Sequence, residues 1–330
     1  MSHTGKMTAA RGLLTAALGA GVCYCLYRAL AARSKKCGSG AGLRDRVSGM
    51  TVTAAGHGSP VQSENFSKCA GNLEAHHLES LLQLLSGSSD SSAVEQILVT
   101  LSNSAAFSVN HDIIRNLDGL RIIGGFLSHP DPKIKAGSLN ALNNLSMNLQ
   151  NQEQIQAFIN EVLQNITESA LNSEVQLAGL RLLVNMSVTN NYHEKMVDDI
   201  PNLLHLLDGG NDTTKTQVLK VLVNLSANPL MSVPLMAAKA PSSLLCLFDS
   251  SITRDILIRA LTFSANLSEN LGREQQCDGQ AHYKEDSLYA VLFEDPAALQ
   301  RSLAPLLLYP DTEMKEQVKR CISAERRKYS

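Results

Sequence analysis

The sequence predicts an all-α chain, a right-handed α-solenoid of stacked helical repeats behind one N-terminal transmembrane helix. Three observations carry this reading. First, a six-residue phrase recurs five times: Leu98-Val-Thr-Leu-Ser-Asn103, Leu139-Asn-Ala-Leu-Asn-Asn144, Leu180-Arg-Leu-Leu-Val-Asn185, Leu219-Lys-Val-Leu-Val-Asn224 and Leu261-Thr-Phe-Ser-Ala-Asn266. The closing asparagines stand 41, 41, 39 and 42 residues apart, and a unit of this size cannot bury its apolar face without neighbours. Second, hydrophobic residues make up 44% of the chain but aromatics only 4%, with no Trp. Leucine-rich helix packing fits that profile; stacking of bases does not. Third, a charge-free run from Gly12 to Tyr27 precedes all five phrases.

The opening residues 1–11 form a short N-terminal segment, and residues 12–32 are the expected signal-anchor. Sixteen uncharged residues are short for a span, but Arg28 stands where its guanidinium can snorkel to the headgroups, so the stretch extends to Ala32. Lys6 and Arg11 precede the segment, whereas Arg28, Arg33, Lys35 and Lys36 follow it. The excess of positive charge on the C-terminal side predicts a cytosolic domain. Two cleaved alternatives compete with the anchor. A secretory signal would place Asn65, Asn144, Asn165, Asn185, Asn211, Asn224 and Asn266, all in Asn-x-Ser/Thr sequons, in the lumen. A matrix-targeting peptide would be amphipathic and Arg-rich, which this run is not. Cys23 and Cys25 stand where acylation is chemically open, although packing is the plainer use of cysteine in an apolar helix. The pairs Ala16/Ala20 and Ala17/Gly21 have the spacing of a small-residue helix contact, an opening for weak homo-oligomerisation through the anchor.

Residues 33–72 are rich in Gly, Ser and polar residues and lack helical periodicity, which predicts a disordered tether. Gly38-Ser-Gly-Ala-Gly42 has no strand before it and no helical pattern after it, so it is no phosphate loop. His76 and His77 with Glu74 and Glu79 lack a distant ligand to complete a metal site and read as surface helix residues. The seven cysteines are odd in number and irregularly spaced, which indicates free thiols in a reducing compartment.

Residues 73–330 then hold about six repeats. At 100° per residue, the positions five before, two before and one after each Asn fall on one stripe. These are Leu139, Leu142 and Leu145; Leu180, Leu183 and Met186; Leu219, Leu222 and Leu225. The Asn points away from that stripe. Positions four before and four after it share its face, which gathers Asn140, Asn144 and Asn148; Arg181, Asn185 and Thr189; Lys220, Asn224 and Asn228; and Thr262, Asn266 and Asn270. Asn103 is the poorer candidate, because Ser104-Ala105 follows it in place of Leu-Ser.

The phrase Leu-x-x-Asn-Leu-Ser on the last helix of a forty-residue unit resembles the third helix of an armadillo repeat. That resemblance implies a concave groove in which Asn144, Asn185, Asn224 and Asn266 hold the backbone of an extended peptide; each carboxamide offers a donor and an acceptor. The alternative is that the amides bond neighbouring helices and only set repeat geometry. On the groove reading, Asn185→Ala and Asn224→Ala should leave melting unchanged. The absence of Trp removes the clamp that nuclear import receptors of this fold use for lysine side chains. Arg181, Lys220 and Arg259 suggest instead a partner with acidic character. The anchor Gly19-Ala-Gly-Val-Cys-Tyr-Cys-Leu-Tyr-Arg28, together with Ser102-Asn-Ser-Ala-Ala-Phe-Ser-Val-Asn110 and Val175-Gln-Leu-Ala-Gly-Leu180, is similar to the membrane-anchored mitochondrial armadillo-repeat family. Membership would imply an outer-membrane or endoplasmic-reticulum anchor, a cytosolic domain, and roles in mitochondrial distribution and dynamics through adaptors of the kinesin transport machinery, with links to cell growth and survival.

Both ends should depart from the repeat pattern. Leu73 to Leu85 supplies the first helix. Gly272 to Lys284 is a polar break, Asp286-Ser287 caps a helix through Phe293, Asp295-Pro296 starts another, and Asp311-Thr312-Glu313 opens the last. The basic Arg326-Arg327-Lys328 complements that helix's dipole. A net charge of −2 and the lack of a basic stripe argue against nucleic acid. No HExxH, Walker A or GxSxG motif occurs, so neither an enzyme nor a cofactor is expected. The leading expectation is a membrane-tethered binding scaffold, with a soluble armadillo regulator of signalling or transcription as the alternative.

Overall fold

In the computed structural model, the chain divides into two units, residues 1–68 and 69–330. The structure describes residues 74–274, 283–294 and 296–326. The expected anchor at 12–32, its flanking Arg11, Arg28, Arg33, Lys35 and Lys36, and the tether at 33–72 lie outside the described residues.

The described residues are helical, with one isolated antiparallel bridge between Lys239 and Ser287. In chain order the α-helices are α1 (Ala75–Gly87), α2 (Ser91–Ala105), α3 (His111–Asn116), α4 (Gly119–Gly124), α5 (Pro132–Leu145), α6 (Leu149–Ile155), α7 (Ile159–Glu168), α8 (Glu174–Met186), α9 (Ile200–Gly209), α10 (Asp212–Ser226), α11 (Ser232–Ala237), α12 (Arg254–Glu274), α13 (Pro296–Leu303) and α14 (Thr312–Arg326). Six of them, α2, α5, α8, α10, α12 and α14, stack consecutively. The shorter helices and intervening 3₁₀ turns, among them the ten-residue Asn190–Asp199, pack behind them.

Five of the six stacked helices begin at a side chain that closes the first turn. The Asp90 carboxylate accepts from the backbone N–H groups of Ser92 and Ala93, Asp131 from Lys133, Ser173 from Gln176, Asn211 from Thr214 and Asp311 from Met314. Pro132 adds a fixed φ at the first turn of α5. The far ends are closed from the next repeat. His111 donates to the Ala105 carbonyl at 2.7 Å, Asn151 to Leu145 at 3.0 Å, Gln152 to Ser146 at 2.8 Å and His193 to Ser187 at 2.8 Å, each from six residues downstream. These side chains are buried, and they satisfy carbonyls that would otherwise lack partners in an apolar interior.

The stripe read from the sequence is the core. Leu139, Leu142, Leu145, Leu180, Leu183, Met186, Leu219, Leu222 and Leu225 are all fully buried. Repeats are also stapled across the turns ahead of α8 and α10. Asn172, at φ 63°, accepts at its Oδ1 from the Asn211 N–H and the Thr214 hydroxyl, both at 2.8 Å. Asn is one of the few residues that takes this left-handed geometry at small cost.

At the ends, the first helix starts at Ala75 and runs to Gly87, and α12 continues to Glu274 through the start of the expected polar break. Ser287 accepts from the Ala290 N–H, but the turn it opens is a wide π segment, Ala290–Glu294. The residues leading into it pair with the chain before α12: Ala240 N–H donates to Asp286 and Leu288 N–H to Ala238, each at 2.8 Å. Among the described residues, no single helix is long and apolar enough to cross a membrane.

Candidate partner-binding face

The repeated carboxamides form one connected ladder. The Asn144 Nδ2 donates to the Ser102 carbonyl at 2.9 Å. Asn185 donates to the Asn143 carbonyl at 3.1 Å and to Ser146 Oγ at 3.0 Å. Asn224 donates to the Val184 carbonyl at 3.3 Å and to Ser187 Oγ at 3.0 Å. Asn266 donates to the Val223 carbonyl at 3.4 Å and to Ser226 Oγ at 3.1 Å. In the last three rungs the serine two residues after the preceding Asn also donates back to that same carbonyl, at 2.7 Å for Ser146, 2.9 Å for Ser187 and 3.0 Å for Ser226; in the first, Ala105 stands at that position. One hydroxyl thus closes its own helix end and receives the next repeat.

The ladder is polarised. Every Nδ2 is committed to the preceding repeat, which turns each Oδ1 away from it. Asn144 Oδ1 accepts from Asn143 Nδ2 at 3.2 Å, and Asn266 Oδ1 accepts from Arg320 at 3.0 Å. The Oδ1 atoms of Asn185 and Asn224 have no protein partner among the described residues, and both side chains are half-buried. A half-buried carbonyl acceptor without a protein partner is suited to a backbone N–H.

The second set of amides behaves differently. The helical projection onto Asn148 and Asn228 fails because α5 and α10 end before them, at Leu145 and Ser226. Asn148 caps α6 through the Gln150 N–H and donates to Asp112 at 2.9 Å. Buried Asn228 accepts from the Leu230 N–H and donates to His193 Nδ1 at 3.1 Å. Asn270 does lie on α12, but it is buried and donates to the Ser226 carbonyl at 2.9 Å. All three join neighbouring repeats, with their Nδ2 groups already used.

One turn nearer the helix N-terminus, α5, α8, α10 and α14 present Asn140, Arg181, Lys220 and Arg320, each eight or nine residues after its N-cap. Arg320 was not singled out by repeat reading, because the C-terminal helix lacks the Asn phrase; the signal was Asp311, whose count matches that from Asn211 to Lys220. Arg320 bonds Glu269 at 2.8 Å, Gln317 at 2.6 Å and Asn266, so the ladder ends on a neutralised guanidinium. Lys220 is half-buried, and its ammonium is held below the usual lysine range, by burial first and then by neighbouring Arg259; Asp255 opposes this and Arg181 adds to it. Arg259 pairs with Asp255 at 3.1 Å. Arg181 is exposed, and neither it nor Lys220 makes an ion pair among the described residues.

The His76 and His77 rings lie tilted at a centroid distance of 3.9 Å, and with Glu74 they gather three ligand-type atoms at the start of α1. Two of the three residues are exposed, and Glu79, the fourth residue of the sequence cluster, is not among them.

Several solved structures share the fold. A designed armadillo repeat protein superposes with a TM-score of 0.62 at 17% identity, over 75% of this chain and 99% of that one. Computationally designed armadillo repeat proteins for modular peptide recognition give 0.62 at 16% identity, with the same coverage. A designed armadillo repeat protein in complex with the peptide (KR)4 gives 0.61 at 15% identity, again over 75% and 99%. At these identities the likeness is one of fold. The armadillo-like family model matches residues 73–293, which span the stacked helices from α1 through α12, and with the ladder that runs along them the chain belongs to the armadillo-like family.

Proposed function

We propose that the carboxamide ladder is the docking floor for an extended segment of a protein partner, and that the chain is a membrane-tethered scaffold facing the cytosol at the mitochondrial outer membrane. The observation that carries the docking reading is the unspent Oδ1 of Asn185 and Asn224, set in line by Nδ2 bonds that fix each amide's orientation. Groove contact and repeat geometry are therefore two halves of one side chain. The peptide-binding designs of the same fold support the reading, although the (KR)4 peptide held by one of them is basic, whereas this chain sets Arg181, Lys220 and Arg259 beside its ladder.

The location rests on the uncharged run at 12–27 with its basic flank, and on the resemblance to the membrane-anchored mitochondrial family. Within that family the role would be regulation of mitochondrial distribution and dynamics through kinesin-transport adaptors, with effects on growth and survival; the endoplasmic reticulum is the alternative membrane. The sequons support a cytosolic domain. The Nδ2 atoms of Asn144, Asn165, Asn185, Asn224 and Asn266, where a glycan would attach, all donate to backbone carbonyls of other repeats or helices.

Docking is tested with peptides selected on the full-length chain in detergent, followed by backbone N-methylation one residue at a time. Loss of about tenfold or more in affinity at alternating positions is expected, since only every second N–H faces the floor. Uniform tolerance of N-methylation refutes the ladder as the floor. Topology is tested with a C-terminal tag on intact mitochondria. Protease should remove the tag with no glycosidase-sensitive shift, and alkaline carbonate should leave the chain in the membrane. Release by carbonate would instead make it a soluble armadillo regulator.

A further inference from the structure

The two sides of the ladder differ in chemistry, and that difference specifies an occupant. Toward the N-terminal turn of the stacked helices stand Arg181 and Lys220, one helical turn (about 6 Å) from their asparagines, with Arg259 beside Lys220. The only carboxylate in contact with this group among the described residues is Asp255, which is bound to Arg259. Lys220 is half-buried and makes no ion pair among the described residues, and the neighbouring guanidiniums of Arg259 and Arg181 outweigh what Asp255 returns, so an arriving carboxylate meets a net cationic stretch. Asn140 on one side and the Arg320–Glu269 pair on the other bound the cationic stretch.

Toward the C-terminal turns the surface is apolar instead. Met147 is 50% exposed, Val188 52% and Leu230 77%, each three to six residues after Asn144, Asn185 or Asn224. Met147 and Val188 stand at the same point of successive repeats, three residues after the Asn, and Leu230 follows three residues beyond that point in the next repeat, where Ala227 takes the equivalent place, so exposed apolar side chains recur on this side rather than scatter.

An extended chain that turns every second N–H toward the Oδ1 atoms must send its side chains alternately to the two sides. Building on the docking reading above, we propose that the occupant is an extended protein segment in which acidic residues alternate with apolar ones. Its carboxylates lie over Arg181, Lys220 and Arg259, and its apolar side chains over Met147, Val188 and Leu230. The chain's own segments outside the repeats do not have this chemistry. Residues 33–72 carry Arg33, Lys35, Lys36, Arg44, Arg46 and Lys68 against Asp45 and Glu64, and the stretch after α14 carries the basic Arg327-Lys328. Charge complementarity therefore points to another protein.

The test measures binding of fluorescent twelve-residue peptides to the full-length chain in detergent: alternating Glu-Leu, alternating Lys-Leu and alternating Glu-Ser. Glu-Leu should bind at least about tenfold more tightly than either of the others, and its advantage over Lys-Leu should shrink as salt rises. Lys220→Met, which keeps the aliphatic packing, and Arg181→Glu, on an exposed site, should each weaken Glu-Leu without lowering the melting temperature. Arg181→Glu combined with Lys220→Glu should reverse the preference toward Lys-Leu. Equal binding of Glu-Leu and Lys-Leu overturns the charge assignment but leaves docking intact, and equal binding of Glu-Leu and Glu-Ser overturns the apolar side. Failure of every peptide, together with unaltered tolerance of N-methylation in selected ones, overturns the docking reading itself.

Discussion

The Asn185 carboxamide donates to Ser146 Oγ at 3.0 Å across 39 residues of sequence, and this bond accounts for both ends of the recurring Asn-x-Ser phrase. The serine is fully buried, already donates to the Asn143 carbonyl, and has a lone pair left for the following repeat. Asn cannot be replaced by Asp there without losing the donor, nor Ser by Ala without losing the acceptor. Ser187 and Asn224 repeat the arrangement at 3.0 Å, and Ser226 and Asn266 at 3.1 Å.

Ser187→Ala should therefore destabilise the domain although it removes a single oxygen. It deprives Asn224 of one acceptor and the Val184 carbonyl of a donor in a buried setting. The expected loss is about 1–2 kcal/mol in denaturant unfolding. Asn224→Ala should cost a similar amount. The double variant should cost clearly less than the sum, because both changes delete the same rung. Strict additivity would show that the rung carries no coupling energy. This differs from the groove reading of the sequence, on which Asn185→Ala and Asn224→Ala leave melting unchanged, and agrees with its alternative, that the amides bond neighbouring helices.

His193→Gln should remove a pH dependence while preserving the fold. The Ser187 carbonyl can only accept, so His193 Nε2 carries the proton and Nδ1 receives the Asn228 amide. Burial holds the ring below the usual histidine value of 6.5, partly offset by the Ser187 bond. The unfolded chain then binds a proton that the folded one resists. Stability contributed by neutral His193 is thus complete above about pH 6.5 and falls as pH drops below it, until the lowered folded-state value is passed. Gln152 already performs the same carbonyl contact one repeat earlier, at 2.8 Å. The variant should match the parent near neutral pH and exceed it in stability near pH 5. Parallel pH profiles for the two proteins would show that His193 is not the titrating group.

The stacked helices and their core were legible because both depend on local rules: a capping residue, then a leucine stripe at helical spacing. Asn172 was not, since its left-handed φ of 63° and its bonds to Asn211 and Thr214 are set by a neighbour about forty residues away. Within the candidate site, the Asn row followed from the phrase. The polarity of each amide did not, because the fate of Nδ2 depends on how closely the preceding helix approaches. Asn148 and Asn228 were carried onto the face by extending a helix past its end, where the chain has already turned to cap the next element.

Gly179→Ala tests how closely the layers behind the ladder approach. A Cβ at this position would lie 2.8 Å from Ile166 Cγ1, near the root of a fully buried β-branched side chain rather than at a flexible tip. Ala favours the helix intrinsically, yet overpacking should dominate, with a net loss of about 1–3 kcal/mol. A rise in the melting temperature instead would mean that α7 and α8 separate at little cost.

Arg320→Ala tests whether the last helix closes the ladder. The guanidinium joins Glu269 and Gln317 to the Asn266 Oδ1, so its removal frees an acceptor on α12 and leaves Glu269 without its cation. Roughly a third of each charged partner is exposed, which sets the expected cost between a surface pair and a buried one, about 1–2 kcal/mol. A solenoid transmits such a loss only to its nearest neighbour, so the change should be local. Amide exchange should accelerate across 312–322 and in the last turns of α12, while α5 and α8 keep their protection. Arg254, bonded to Asp311 at 2.6 Å and Glu313 at 2.7 Å, still holds the start of α14, so the helix should fray from its C-terminal half first. Uniform acceleration through every repeat would instead mark the domain as one cooperative block, with Arg320 acting on its global stability.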